Sequence, residues 1–213
     1  MKLTVFGATG GVGGEIVRQA LAAGHEVTAV VRDPSRLSAT GATGESLEVF
    51  RADLTDPESL RAAVAGRDAV LSGLGARKRA DAGITAELTR SVVRAMEAEG
   101  VRRLVVVSAA PVGPPAERQP MVDRVMGSLV SKILKPVYDD LRAMEADLAA
   151  SATDWTSVRP PRLQDKPVTG GYRKVVGGTP VSGRFIGRAD VAHAMLAVID
   201  DLSTVKHGVG VAY

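Results

Sequence analysis

The residues with the clearest chemical meaning form one run, Gly7-Ala8-Thr9-Gly10-Gly11-Val12-Gly13, set between Val5-Phe6 and Glu15-Ile16-Val17. Glycines between an apolar strand and an apolar helix let the chain turn tightly and keep side chains away from the backbone. The amide hydrogens of the first helical turn then face outward without partners, and an anion such as a diphosphate can lie against them. The spacing Gly7, Gly10, Gly13 departs from the G-x-G-x-x-G dinucleotide fingerprint by one residue between its first two glycines. The strand–turn–helix setting that gives that fingerprint its meaning is kept. A tight turn without a ligand is the plainer alternative.

The next apolar run ends in Val31-Arg32-Asp33-Pro34-Ser35-Arg36. A site for NAD carries a carboxylate here for the ribose 2′-hydroxyl. Arg32 and Arg36, one helical turn apart, instead offer two guanidinium forks, which suit a 2′-phosphate. NADP(H) is therefore the expected cofactor, with Asp33 still able to accept a ribose hydroxyl. Solvated loop charges are the bland reading of the same residues. Ala52-Asp53-Leu54 places a short acceptor, Asp53, beside apolar cover, Leu54, as an adenine edge requires. Asp53 capping the turn toward Asp56-Pro57 fits equally well. In Ser72-Gly73-Leu74-Gly75-Ala76-Arg77, Gly75 lets the backbone pass close to a cofactor and Arg77 is a candidate phosphate contact. Ser108 ends a further apolar run, at the sheet edge where open α/β folds bind ligands. Its hydroxyl suits the nicotinamide amide or the acceptor. Arg162, after Pro160-Pro161, is expected over the same crevice, drawing a carboxylate or phosphate of the acceptor. An ion pair with Asp165, or a plain surface charge, explains Arg162 as well.

These residues need a scaffold, and the hydrophobic pattern supplies one. Strand-like runs at 3–6, 27–31, 47–51, 68–72, 104–107 and 155–158 alternate with helical patterns at 10–23, 85–99 and 138–150 and with a helix started by Asp56-Pro57. Strand–helix alternation predicts parallel strands joined by crossover helices, a doubly wound α/β sheet. Residues 111–120, rich in proline, read as a mobile loop over the site. Beyond Pro161 the pattern predicts a strand at 172–176 and a helix at 187–199 with Asp190 in its first turn. His207 falls in an expected tail, and Trp155 in the core.

Composition removes several classes of function. The chain has 213 residues, about one domain's worth at roughly 150 residues each. It has no cysteine, so thiolate metal sites, disulfides and cysteine nucleophiles are excluded. Its three histidines, at 25, 193 and 207, make no metal-ligand spacing, and no metal site is expected. Lys+Arg 27 against Asp+Glu 24 leaves a net charge of only +3, compatible with a small anionic ligand and too mild to indicate nucleic acid. No apolar stretch is long enough to span a membrane, and the N-terminal run is too short for a secretory signal, so a cytoplasmic protein is expected.

Together GATGGVG, VRDPSR, ADL, TDWTSVRPPRL and GRADVAHAML resemble the atypical short-chain dehydrogenase/reductases, in particular the NAD(P)H-binding NmrA-like group. Within it the chain looks most like the flavin reductase (biliverdin-IXβ reductase) type, and residues 164–172 resemble that type's segment after the sixth strand. The resemblance implies a Rossmann-type domain over 1–213, with about 160–213 forming the acceptor side of the cleft. It implies NADPH binding and hydride transfer to a planar acceptor, a flavin, tetrapyrrole or quinone. It carries Thr9, Gly10, Gly11 and Val12 to the pyrophosphate, Arg32 and Arg36 to the 2′-phosphate, Asp53 to the adenine, and Ser108 to the nicotinamide, with Pro160 a further expected cofactor contact. Two departures stand out. Where ordinary members have Tyr-x-x-x-Lys, this chain has Tyr138 and Arg142, and arginine stays protonated. Where the flavin reductase type has a histidine after Pro-Pro, this chain has Arg162. Two other functions stay open: a non-catalytic NADP(H)-binding redox sensor acting through a protein partner, and a nucleotide-sugar epimerase or dehydratase. The epimerase is disfavoured by the short segment after Pro161. The oligomeric state is left open.

Overall fold

Runs of valine, leucine and alanine with little polar interruption make strands that are buried on both faces, as parallel sheets require. The computed structural model describes residues 1–38, 44–76, 83–115, 134–181 and 183–213. In chain order its elements are β1 (Lys2–Phe6), α1 (Gly11–Ala22), β2 (Glu26–Val31), α2 (Ser35–Ser38), β3 (Leu47–Arg51), α3 (Pro57–Val64), β4 (Ala69–Ser72) and α4 (Ile84–Ala98). There follow β5 (Arg103–Val107), α5 (Lys135–Ala150), β6 (Asp154–Arg159), β7 (Arg162–Gln164), β8 (Arg173–Val176), β9 (Phe185–Gly187), α6 (Arg188–Ala197) and β10 (His207–Ala212).

Eight strands form one sheet in the order β3-β2-β1-β4-β5-β6-β10-β8. Every pair is parallel except β10 with β8. The expected doubly wound α/β sheet is therefore what the chain forms. From β1 the chain winds outward to β3, then returns to β4 on the other side of β1. The carboxyl ends of β1 and β4 thus flank a switch point, where such sheets open a crevice. Helices cover both faces. Ile16 and Val17 of α1 share one buried cluster with Val191, Ala192 and Met195 of α6. Leu60 of α3, Val92 and Met96 of α4, and Met144 and Leu148 of α5 share the other, with Trp155. Asp140 of α5 accepts hydrogen bonds at 3.0 Å from the amides of Thr85 and Ala86, and so caps α4 from its neighbour.

Three expectations change, and one pair of strands went unread. His207 does not sit in a tail but begins β10, a strand buried between β6 and β8. Its alternating glycines hid it, since glycine weakens a strand signal. They are needed there: a side chain at Gly208 would strike the Arg159 guanidinium, and one at Gly210 would reach within 2.7 Å of Pro180. The paired strands β7 and β9, three residues each, were too short to show a period. The helix expected from 138 begins one turn earlier, at Lys135, with Pro136 in its first turn, where proline costs no hydrogen bond. In the loop expected at 111–120, Ala110–Val112 form a short 3-10 turn, and residues 116–120 lie outside the described residues.

Candidate active site

The glycine run divides into two sets. Gly7 has φ +74°, a conformation that side chains resist. A Cβ on Gly7 would stand 2.7 Å from the Gly73 carbonyl carbon, and one on Gly73 would stand 2.8 Å from the Gly13 nitrogen. A Cβ on Gly13 would in turn press on the Gly7 carbonyl, with its carbon only 2.5 Å away. Gly7, Gly13 and Gly73 therefore let the loop after β1 and the loop after β4 touch backbone to backbone. Gly10 and Gly11 differ. The nearest atom to a Cβ on Gly10 is the Gly7 carbonyl oxygen at 3.2 Å, and on Gly11 it is the Arg188 side chain at 2.6 Å. Both line a cleft of about 470 Å³ with Thr9, Glu15, Lys166 and Arg188.

The start of α1 is left open to an anion. Gly10 caps it with no side-chain hydrogen bond, and its first turn holds no acidic residue. The first-turn amides of Gly11, Val12 and Gly13 have no acceptor within the helix. By contrast, α3 is closed by Asp56, which accepts from the Glu58 amide. Val12 is buried and Thr9 faces the cleft, so the expected pyrophosphate residues come together, with Gly7 and Gly13 shaping the turn behind them.

At the tip of β2 both carboxylates serve the backbone. Asp33 Oδ1 accepts from the Ser35 amide at 3.0 Å and its hydroxyl at 2.7 Å. Those bonds, with Arg36 and Arg51 nearby, hold its carboxyl below the usual range. Asp53 Oδ1 accepts from the Thr55 amide at 3.0 Å and its hydroxyl at 2.8 Å, and with Arg32 nearby it too is lowered. Asp53 thus makes the turn contact weighed for it, while Leu54 beside it is buried. Arg32 and Arg36 stand exposed at this edge. Arg51, at the end of β3, joins them; its place beside β2 was invisible in sequence because strand pairing is not local. Gly75 is exposed beyond β4, and Arg77 lies outside the described residues.

At the carboxyl ends of β5 and β6, Ser108 donates its amide to the Val158 carbonyl at 2.8 Å. Its hydroxyl is buried and has no hydrogen-bond partner among the described residues. A buried hydroxyl left unpaired is costly, and a bound ligand is one way to satisfy it. Pro160 is buried, its carbonyl taken by the Ala110 amide at 2.8 Å, and Arg159 before it is fixed by Glu145, which also accepts from Ser157. Tyr138 is half buried, and burial pushes its phenol up. Arg142 is turned to Asp139 at 3.0 Å and to the Pro111 carbonyl at 3.2 Å. Arg162 is exposed on β7, its guanidinium 5.8 Å from the Phe185 ring centre. Its weighed partner Asp165 pairs instead with Arg188, at 2.6 Å.

Sequence reasoning missed what holds the far wall of the cleft. Asp190 is fully buried, and its two oxygens accept from the Thr169 amide and hydroxyl and the Gly170 amide, each at 2.8 Å, and from the Tyr213 hydroxyl at 2.7 Å. Burial pushes its carboxyl up, but these donors outweigh burial and hold it below the usual range. Tyr172, hydrogen-bonded to His193, is pushed up to about 12 by burial and the Asp190 charge. The acidic residue in the first turn of α6 was visible in sequence; the donors converging on it were not. No helix among the described residues is long and apolar enough to cross a membrane.

Known proteins resemble this chain in sequence and in fold. The chain is 31% identical over 185 residues to an uncharacterized chloroplastic protein of Arabidopsis thaliana, covering 79% of this chain and 61% of that one. It is 28% identical to an uncharacterized sugar epimerase of Bacillus subtilis, over 96% and 90% of the two chains. It is 37% identical over 131 residues to a 3-diazoavenalumate denitrifying reductase of Streptomyces, over 54% and 41%. The chain thus spans less than two thirds of the first and third of these relatives. A short-chain dehydrogenase/reductase of Veillonella parvula, solved in complex with NADP, shares the fold at TM-score 0.82 and 19% identity, over 100% and 94% of the chains. A family described as NAD(P)H-binding matches residues 7–202, nearly the whole chain, including the start of α1; the protein belongs to this NAD(P)H-binding family.

Proposed function

We propose that the protein is an NADP(H)-dependent reductase that passes hydride to a planar, conjugated acceptor of the flavin, quinone or tetrapyrrole kind. Thr9, Gly10, Gly11 and Val12 receive the diphosphate at the start of α1. Arg32 and Arg36, with Arg51, meet the 2′-phosphate, and Leu54 covers the adenine. Ser108 and Pro160 border the nicotinamide end, where the Ser108 hydroxyl gains the partner it lacks among the described residues. The bound cofactor supplies a hydride, and the reduced acceptor takes its proton from solvent. The chain's own task is to hold the two rings together and exclude water between them.

The observation that carries this reading is the state of Tyr138 and Arg142. Burial makes the phenol less acidic, and the arginine beside it is engaged by Asp139 and Pro111. An alcohol dehydrogenase or epimerase must manage an alkoxide through a general acid or base with a pKa near the working pH. A conjugated acceptor stabilises its own charge and needs no such group. The epimerase reading draws support from the name of the Bacillus subtilis relative. The redox-sensor reading draws on the same missing proton relay.

Steady-state oxidation of NADPH and NADH with flavin mononucleotide, biliverdin and quinones separates them. Turnover with such an acceptor, faster with NADPH, is expected. Tight NADPH binding without turnover points to the sensor. Interconversion of a nucleotide sugar with no net cofactor oxidation would overturn the reductase.

A further inference from the structure

We propose that Arg188 closes the diphosphate end of the site, its guanidinium held by Asp165 in the free chain and by the nucleotide diphosphate in the loaded one. This role, which rests on the dinucleotide reading above, brings a clamp from the chain's last helix onto its first.

The Arg188 side chain lies across the start of α1. Its Cδ stands 2.6 Å and its Nε 3.0 Å from where a Cβ on Gly11 would be. Gly11 is therefore bare for a second reason: an arginine stem passes over it. Beyond the stem, Nη1 reaches Asp165 Oδ1 at 2.6 Å. The Asp165 side chain is 91% exposed and that of Arg188 32%. An ion pair so open to water is weak and readily exchanged.

Other charges around the cleft are engaged elsewhere. Glu15 accepts from Arg18 at 2.5 Å, and Lys166 holds its ammonium 5.6 Å from the Tyr213 ring centre. Arg188 is the cation whose stem crosses the open helix start. A diphosphate offers more negative charge than one carboxylate and accepts both arms of a guanidinium fork. The exchange of Asp165 for diphosphate thus favours the loaded state. Asp165 keeps the arginine extended over the cleft when no nucleotide is there.

Binding is the readout, followed by NADPH and NADH fluorescence and by calorimetry with ADP-ribose. Arg188→Met keeps the stem over Gly11 and removes the fork. It should weaken NADPH, NADH and ADP-ribose alike by about tenfold, because all three carry the diphosphate. Arg188→Lys should recover part of that loss. Asp165→Asn should tighten all three, by roughly threefold, since it removes a competitor for the guanidinium. A merely structural ion pair predicts the opposite, with Asp165→Asn weakening binding as Arg188→Met does. That result, or an Arg188→Met chain that binds like wild type, overturns the clamp. A wild-type chain that binds neither dinucleotide overturns the dinucleotide reading itself, so the two failures are distinct.

Discussion

Adding one methyl group at either of two glycines, three residues apart, should have opposite consequences. In Gly13→Ala the new Cβ would overlap the Gly7 carbonyl, whose carbon would stand 2.5 Å away, with Ala8 N at 3.0 Å. Those atoms are backbone and cannot rotate aside. Over-packing of this kind costs about 3 kcal/mol at the upper end of its usual range. Better helix propensity for alanine returns less than 1 kcal/mol of that, roughly. For a chain of this length each kcal/mol moves the midpoint by about 3 °C, so a fall of about 6–9 °C is expected. In Gly10→Ala the backbone, at φ −94° and ψ 167°, suits any residue, and the nearest atom stands at 3.2 Å. The midpoint should move by less than about 3 °C. The methyl group, however, enters the cleft where the diphosphate must approach, and NADPH should bind at least about tenfold more weakly. Thermal melting by circular dichroism and NADPH titration read both effects. Equal melting points for the two variants would refute the division of the glycines into packing and binding sets.

Two further substitutions test the edges of the site. Arg32→Glu should weaken NADPH by about 2–3 kcal/mol, roughly a hundredfold, and leave NADH within about threefold, as titration fluorescence would show; equal losses would remove the 2′-phosphate assignment. Asp190→Asn should cost about 2 kcal/mol at neutral pH, read by urea denaturation. The folded carboxyl is lowered, so its contribution is complete above the unfolded value near 3.9 and is lost as pH falls through the lower folded value. The gap between wild type and Asp190→Asn should therefore close in acid; a gap that stays constant down to pH 3 or so would contradict the charged-acceptor account.

What the sequence disclosed depended on range. The strands β1, β2, β4 and β5 are near-continuous apolar runs, and their signal is local, so their positions and the doubly wound parallel class follow from alternation with helices. The start of α1 was legible for the same reason. The binding role proposed for it rests on what is absent, side chains and caps, and absence shows in a sequence as glycine. The roles of Gly7 and Gly13 were not separable from those of Gly10 and Gly11, because the contacts that separate them form only in the folded turn, from Gly73 onto Gly7 and from the Gly7 carbonyl onto Gly13. Arg51 reached the tip of β2 through strand pairing, and Asp165 found Arg188, the first residue of α6, rather than Arg162, its near neighbour in sequence. Asp53 could be weighed only as two options, because an Asx turn and an adenine contact need the same residue at the same place.

The first turn of α6 shows how such distant contacts are specified cheaply. Arg188 and Asp190 are two residues apart, which on a helix of 3.6 residues per turn sets them about 200° from each other. One must then face the core if the other faces the cleft. Asp190 is the inward one, fully buried, and it collects donors from Thr169, Gly170 and Tyr213. Those bonds fix the segment that carries Asp165 and Lys166, and with it the far wall of the cleft. Arg188 is the outward one and crosses onto Gly11. Stability and nucleotide affinity are thereby assigned to opposite faces of a single turn. A change at Arg188 alters binding without touching the anchor, whereas a change at Asp190 reaches the nucleotide only by loosening the wall. The arrangement needs only that α6 pack on α1 through Val191 and Met195, which the buried cluster they share with Ile16 and Val17 secures.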